Sequence, residues 1–110
     1  MILANLGRNT EALQELKTAA RLDPKMMGLY YRLGLVLSDL VFKDEAEINY
    51  RKALELEPEN ANACNNLGIL LAQRGDLEAA MVLFERAVEA NPEHLNALNN
   101  LKRVRSMLGR

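Results

Sequence analysis

The sequence predicts an all-α fold, a solenoid of antiparallel helix hairpins, and three observations carry that expectation. Pro24, Pro58 and Pro92 stand 34 residues apart. The same shift, applied once and twice, brings Leu3 onto Leu37 and Leu71, Ala12 onto Ala46 and Ala80, and Ala19 onto Ala53 and Ala87, and two shifts bring Gly7 onto Gly75. The composition is poor in strand formers: aromatics make up 5% of the 110 residues, whereas Leu, Ala, Glu and Asn abound, a balance that favours helices. A period of this length marks stacked supersecondary units, none of which buries its apolar face alone.

Each element follows from apolar residues spaced i, i+4, i+7, i+8 on one helical face. A helix over 10–22 carries Ala12, Leu16, Ala19 and Ala20, and the turn signal Gly7-Arg8-Asn9 precedes it. The next, 25–40, carries Leu29, Leu33, Val36 and Leu37 and opens after Pro24, because proline suits a first turn and not a helix interior. A third, 43–56, carries Ala46, Tyr50, Ala53 and Leu54. Its opening run Asp44-Glu45-x-Glu47 sets negative charge at the positive end of the helix dipole, with Glu47 four residues before Arg51. After Pro58 a helix over 59–73 repeats the pattern with Ala63, Leu67, Leu70 and Leu71; the turn Gly75-Asp76 leads into 76–90 with Ala80, Phe84, Ala87 and Val88; Pro92 opens 93–108. Gly34 and Gly68 are expected to face Ala46 and Ala80, where small residues let two helix backbones approach.

These residues resemble the tetratricopeptide repeat, whose pattern runs aromatic, x2-Leu-Gly-x2-Tyr, Ala-x3-Phe, Ala and Pro. The matching positions are Tyr30, Leu33-Gly34, Leu37, Ala46, Tyr50, Ala53 and Pro58, then Cys64, Leu67-Gly68, Leu71, Ala80, Phe84, Ala87 and Pro92. The resemblance covers the whole chain and implies a right-handed superhelix forming one domain over 1–110: a partial repeat at 1–26, full repeats at 27–60 and 61–94, and a partial repeat at 95–110. In the last of these Lys102 and Arg105 replace Gly68 and Leu71, as suits a capping helix with a polar outer face. Met1–Leu6 matches only the last turns of a unit's first helix, and this apolar stub is expected to favour a homo-oligomer through the N-terminal half repeat.

Composition excludes several function classes. Fourteen basic against 15 acidic residues, a net charge of -1 and a pI near 5.8 give no basic field, so neither nucleic acid nor an anionic membrane surface is an expected partner. No apolar run approaches the roughly 20 residues that span a bilayer, and the N-terminus shows no leader pattern; a cytoplasmic chain is expected. One cysteine and one histidine cannot make an internal disulfide or a nitrogen-and-sulfur zinc site. No Gly-rich phosphate loop occurs, so no cofactor is expected. His94, just after Pro92-Glu93, has no nucleophile and orienting carboxylate at a motif spacing and reads as an exposed first-turn residue. Cys64, in the aromatic slot, reads as a half-buried structural residue. No catalysis is expected.

The candidate site is a ladder of asparagines. Asn62, Asn65 and Asn66 recur as Asn96, Asn99 and Asn100, and their i, i+3, i+4 spacing sets them on one helix face, apart from the apolar stripes. Because the first helices of a tetratricopeptide array line its concave surface, the resemblance puts the ladder in a groove. Ile69, Gln73 and Arg103 lie further along, and Gly28, Tyr31, Arg32, Leu35 and Asp39 hold equivalent places in the preceding unit. A carboxamide donates and accepts, so stacked asparagines suit the N–H and C=O groups of an extended peptide; plain solvation of a helix face is the alternative. The expected function is a protein-protein interaction module binding a peptide or protein segment, with Tyr31, Arg32 and Arg103 giving selectivity. Two other readings stay open, a self-association scaffold and a substrate-positioning fragment of a larger enzyme such as a glycosyltransferase. For the latter, Asn66-Leu67 and Asn100-Leu101 resemble the asparagine ladder of O-linked N-acetylglucosamine transferase. The carboxylate clamp of heat-shock co-chaperones would need five Lys, Asn and Arg residues at Tyr31, Leu35, Asn66, Asn96 and Asn100, and only Asn66 fits. Lys102, Arg103, Arg105 and Arg110 suit the negative end of a final helix.

Overall fold

Proline and the residue two places after it decide where helices begin. The computed structural model describes the backbone of residues 2–110 and the side chains from Gly7 onward. Among them run six helices and no strand: α1 (Ile2–Leu22), α2 (Leu29–Asp39), α3 (Lys43–Leu56), α4 (Ala61–Gln73), α5 (Leu77–Ala90) and α6 (Leu95–Met107). Pro58 and Pro92 each open a short turn, closed by Asn60 N–H to the Glu57 carbonyl and His94 N–H to the Asn91 carbonyl, both at 3.0 Å. Asn60 then caps α4, its side chain accepting from Ala63 N–H at 3.0 Å. His94 caps α6, Nδ1 accepting from Ala97 N–H at 3.1 Å. The equivalent residue after Pro24 is Met26, which has no acceptor for the orphan N–H groups of a helix start. Accordingly α2 begins only at Leu29, after Gly28 in the left-handed region (φ 77) and with no side-chain cap, instead of at 25 as the sequence pattern suggests.

The chain divides into two compact units, residues 1–56 with α1–α3 and residues 57–110 with α4–α6. In the first, Leu29, Leu33 and Leu37 of α2 bury against Ala46, Tyr50, Ala53 and Leu54 of α3, while Val36 is only half-buried. The turn expected at Gly7-Arg8-Asn9 is absent; α1 runs unbroken through it. Arg8 stands where Asp76 stands one double period later, and Asp76 caps α5 by accepting from Ala79 N–H at 3.3 Å. A guanidinium has no acceptor, so nothing starts a new helix at Arg8, and a helical glycine costs only about 1 kcal/mol. Leu3, and the apolar stub at Met1–Leu6 that carries the self-association expectation, lie outside the described side chains.

The second unit packs α5 on α4 and lays α6 against both. Ala63, Cys64, Leu67, Leu70 and Leu71 of α4 meet Ala80, Leu83, Phe84 and Ala87 of α5, and α6 contributes Ala97, Leu101 and Val104. Leu83 is buried where the spacing pointed to Val88, which is half-buried. The glycines do not make room for alanine, as expected, but for an aromatic ring. A Cβ on Gly68 would lie 2.6 Å from Phe84 Cε1, and one on Gly34 2.5 Å from Tyr50 Cε1. The ring of the second helix thus takes the space a side chain on the glycine would fill, and Ala46 and Ala80 are themselves fully buried.

Candidate functional site

The asparagine ladder falls on α4 and α6, inside the second unit, where the structure splits it into two classes of residue. Asn65 is buried, 4% exposed, and its Oδ1 accepts a hydrogen bond from Asn100 Nδ2 at 3.0 Å. Expected to contact a ligand, Asn65 instead holds Asn100, because a buried carboxamide needs an internal partner. Asn62 pairs likewise: its Oδ1 lies 2.8 Å from His94 Nε2. Since His94 Nδ1 accepts the Ala97 N–H, the neutral ring carries its proton on Nε2 and donates it to Asn62. His94, expected as a simple exposed first-turn residue, is thus half-buried and joins the start of α6 to α4.

Asn66, Asn96 and Asn99 form the second class. Asn66 is half-buried and Asn96 and Asn99 are exposed, and among the described residues no hydrogen bond engages their side chains. Nearer the C-terminal ends of the same two helices, Ile69, Gln73, Asn100 and Arg103 meet around one cavity of about 260 Å³. Phe84 and Leu77 of α5 and Val104 of α6 line its inner part, and Met107 stands at its edge, 64% exposed. Sequence periodicity missed His94, Leu77, Phe84 and Met107 at this face, since it aligns equivalent residues of successive units, whereas the real pairs are offset: Asn62 with His94 rather than Asn96, Asn65 with Asn100 rather than Asn99.

The arginines of the last eight residues differ in their partners. Arg105 pairs with Glu85 at 3.3 Å, and Arg110 binds Glu78 through both terminal nitrogens at 2.7 and 2.8 Å; Arg105, expected as solvated surface, is ion-paired. Arg103 is exposed, and among the described residues no carboxylate pairs with it. Beneath the face lies Cys64, fully buried rather than half-buried; burial pushes its thiol above the ordinary value of 9.0, with the nearby Arg86 charge opposing.

The remaining expected residues belong to the first unit. On α2, Tyr31 is half-buried with its ring centroid 6.2 Å from that of Tyr50. Arg32 is exposed and Leu35 half-buried. Among the described residues no group of His, Cys, Asp and Glu forms a metal cluster, and no helix is long and apolar enough to cross a membrane.

Residues 44–110 match the family model described as "Tetratricopeptide repeat", and residues 2–40 match one described as "TPR repeat". None of the curated proteins compared matches the chain. Among solved structures, the first TPR of Spaghetti (RPAP3), bound to the HSP90 peptide SRMEEVD, is 23% identical with a TM-score of 0.87, the match covering 94% of this chain and 82% of that one. MamA is 23% identical at 0.86, covering 96% and 62%. YrrB, described as a TPR protein with an unusual peptide-binding site, is 27% identical at 0.79, covering 91% and 52%. The chain thus spans about half to two thirds of the MamA and YrrB chains.

Proposed function

Because the chain belongs to the tetratricopeptide repeat family, we propose that it is a protein-interaction module that lays an extended peptide segment along the α4/α6 face of its second unit. The observation that carries this reading is that no hydrogen bond among the described residues engages the carboxamides of Asn66 on α4 and of Asn96 and Asn99 on α6. Asparagine is a mediocre helix former, and a helix face that only needed solvation would favour Glu or Lys. Each carboxamide supplies a donor and an acceptor, which matches the alternating N–H and C=O groups of an extended chain. The Asn65–Asn100 and Asn62–His94 bonds fix the face in advance, so little side-chain entropy is lost on binding. Peptide binding by YrrB and by the first TPR of RPAP3 supports the class of partner. An HSP90-type tail is not the proposed ligand, since Tyr31, Leu35, Asn96 and Asn100 stand where that clamp needs other residues. The reading requires no catalysis by this chain.

Side-chain amide NMR tests it. On titration with a pool of acetylated, amidated peptides, the NH2 resonances of Asn66, Asn96 and Asn99 are expected to shift before those of Asn60 and Asn91. Shifts confined to other residues, with these three unmoved, would remove the proposal.

A second reading, self-association through the first unit, draws on α1: none of its described side chains is buried, Leu13 and Leu16 included. It expects a mass above the monomer by light scattering at tens of micromolar; a monomer there removes it.

A further inference from the structure

We infer that the cavity at the C-terminal ends of α4 and α6 is a specificity pocket for a peptide bearing a large apolar side chain with an Asp or Glu two residues away. The inference rests on the peptide-binding reading above and names its ligand class. The cavity, about 260 Å³, has room for one Leu, Met or Phe side chain, and Ile69, Phe84 and Val104 give it apolar walls. A void lined this way gains by taking apolar surface out of water. No acidic residue lines it, and Arg103, at its mouth, is its one cationic residue.

Charge decides the occupant. Arg105 of α6, and Arg110 just beyond its end, each pair with a glutamate of α5. Among the described residues Arg103 has no such partner. An unpaired guanidinium beside an apolar pocket complements a carboxylate and penalises an ammonium. In an extended peptide, residues i and i+2 point to the same side, roughly 7 Å apart. One side chain therefore enters the cavity while its second neighbour reaches Arg103, and the residue between points away toward solvent. The carboxylate is assigned to a side chain rather than a chain terminus because the Asn66, Asn96 and Asn99 carboxamides call for an uninterrupted backbone.

The test is an array of acetylated, amidated nonapeptides on an alanine background, carrying Leu-x-Glu, Leu-x-Gln, Leu-x-Lys or Ala-x-Glu at the centre, with a free-carboxylate Leu-ending series as a further arm. It is read by binding of the intact chain and of two variants, R103E and A72L, whose helical circular dichroism is checked first. Leu-x-Glu is expected to bind roughly tenfold or more tightly than Leu-x-Gln. R103E should reverse that order in favour of Leu-x-Lys. A72L, which fills the cavity, should erase the preference for Leu over Ala and keep that for Glu. Equal binding of all the capped peptides, or a preference unmoved by R103E, overturns the pocket and leaves the asparagine face standing. Preference for the free-carboxylate series overturns the side-chain assignment. No binding of any peptide overturns both readings.

Discussion

Gly68 shows how one missing side chain sets the geometry of a hairpin. With the ring of Phe84 2.6 Å from the place of a Cβ, Gly68→Ala forces either the ring or the helix to shift, an overpacking cost of about 1–3 kcal/mol. Urea unfolding followed by circular dichroism should show that loss, and adding Phe84→Leu should recover part of it; full additivity would mean that the two residues do not touch. Asn100→Ala has a different origin of cost. It strands the Oδ1 of Asn65, a residue 4% exposed, and should destabilise by about 1–3 kcal/mol, whereas Asn99→Ala, exposed and unbonded, should stay within about 0.5 kcal/mol. Cys64 makes a pH prediction. Its buried thiol is raised above the ordinary 9.0, so the folded chain keeps a proton that the unfolded chain sheds. Its contribution is complete below about 9 and is lost as pH climbs through the higher folded value. Cys64→Ala should therefore flatten the alkaline fall of the urea midpoint relative to the parent, and an unchanged slope contradicts this.

Helix ends, more than helix interiors, distinguish the two units. Both hairpins close with the same pair of bonds: Asp76 N–H to Leu71 C=O and Gly75 N–H to Ala72 C=O in one, Phe42 N–H to Leu37 C=O and Val41 N–H to Ser38 C=O in the other. That closure sets a left-handed residue after the helix, which Gly75 provides freely at φ 86 and Val41 provides at φ 69 with a β-branched side chain. Val41 is also 71% exposed, so no packing offsets its strain. Val41→Gly should stabilise the first unit by about 1 kcal/mol, the left-handed penalty less glycine's entropy. Tyrosine fluorescence reads this unit alone, since Tyr30, Tyr31 and Tyr50 all lie in it; an unmoved midpoint would mean that the strain is absorbed elsewhere. Such ends also explain what was legible beforehand. The apolar stripes of α3 and α4 were readable because burial repeats with the helix period. The start of α2 and the continuity of α1 were not, because they turn on single capping atoms that Met26 and Arg8 lack. The split of the asparagines into buried and open residues was hidden too, since Asn65 and Asn66 are identical in the repeat pattern and one step around the helix separates core from solvent.

At the scale of the whole chain, family membership fixes the architecture, and the second unit supplies a face whose chemistry is its own. A net charge of -1 leaves no long-range field, so the proposed recognition rests on short-range donors, acceptors and one cavity. Of the six asparagines in the ladder, Asn62 and Asn65 are hydrogen-bonded to His94 and Asn100, Asn100 also lines the cavity, and no hydrogen bond among the described residues engages Asn66, Asn96 and Asn99, the three that the proposed reading gives to a ligand. Removing those three carboxamides removes donors and acceptors without touching the core. The decisive measurement is fluorescence anisotropy of a labelled, capped peptide from the array against the parent chain and the Asn66→Ala/Asn96→Ala/Asn99→Ala variant. With helical circular dichroism unchanged, affinity should fall roughly tenfold or more, about three hydrogen bonds at about 0.5–1.5 kcal/mol each. Equal affinity for both proteins would show that the carboxamides only meet water.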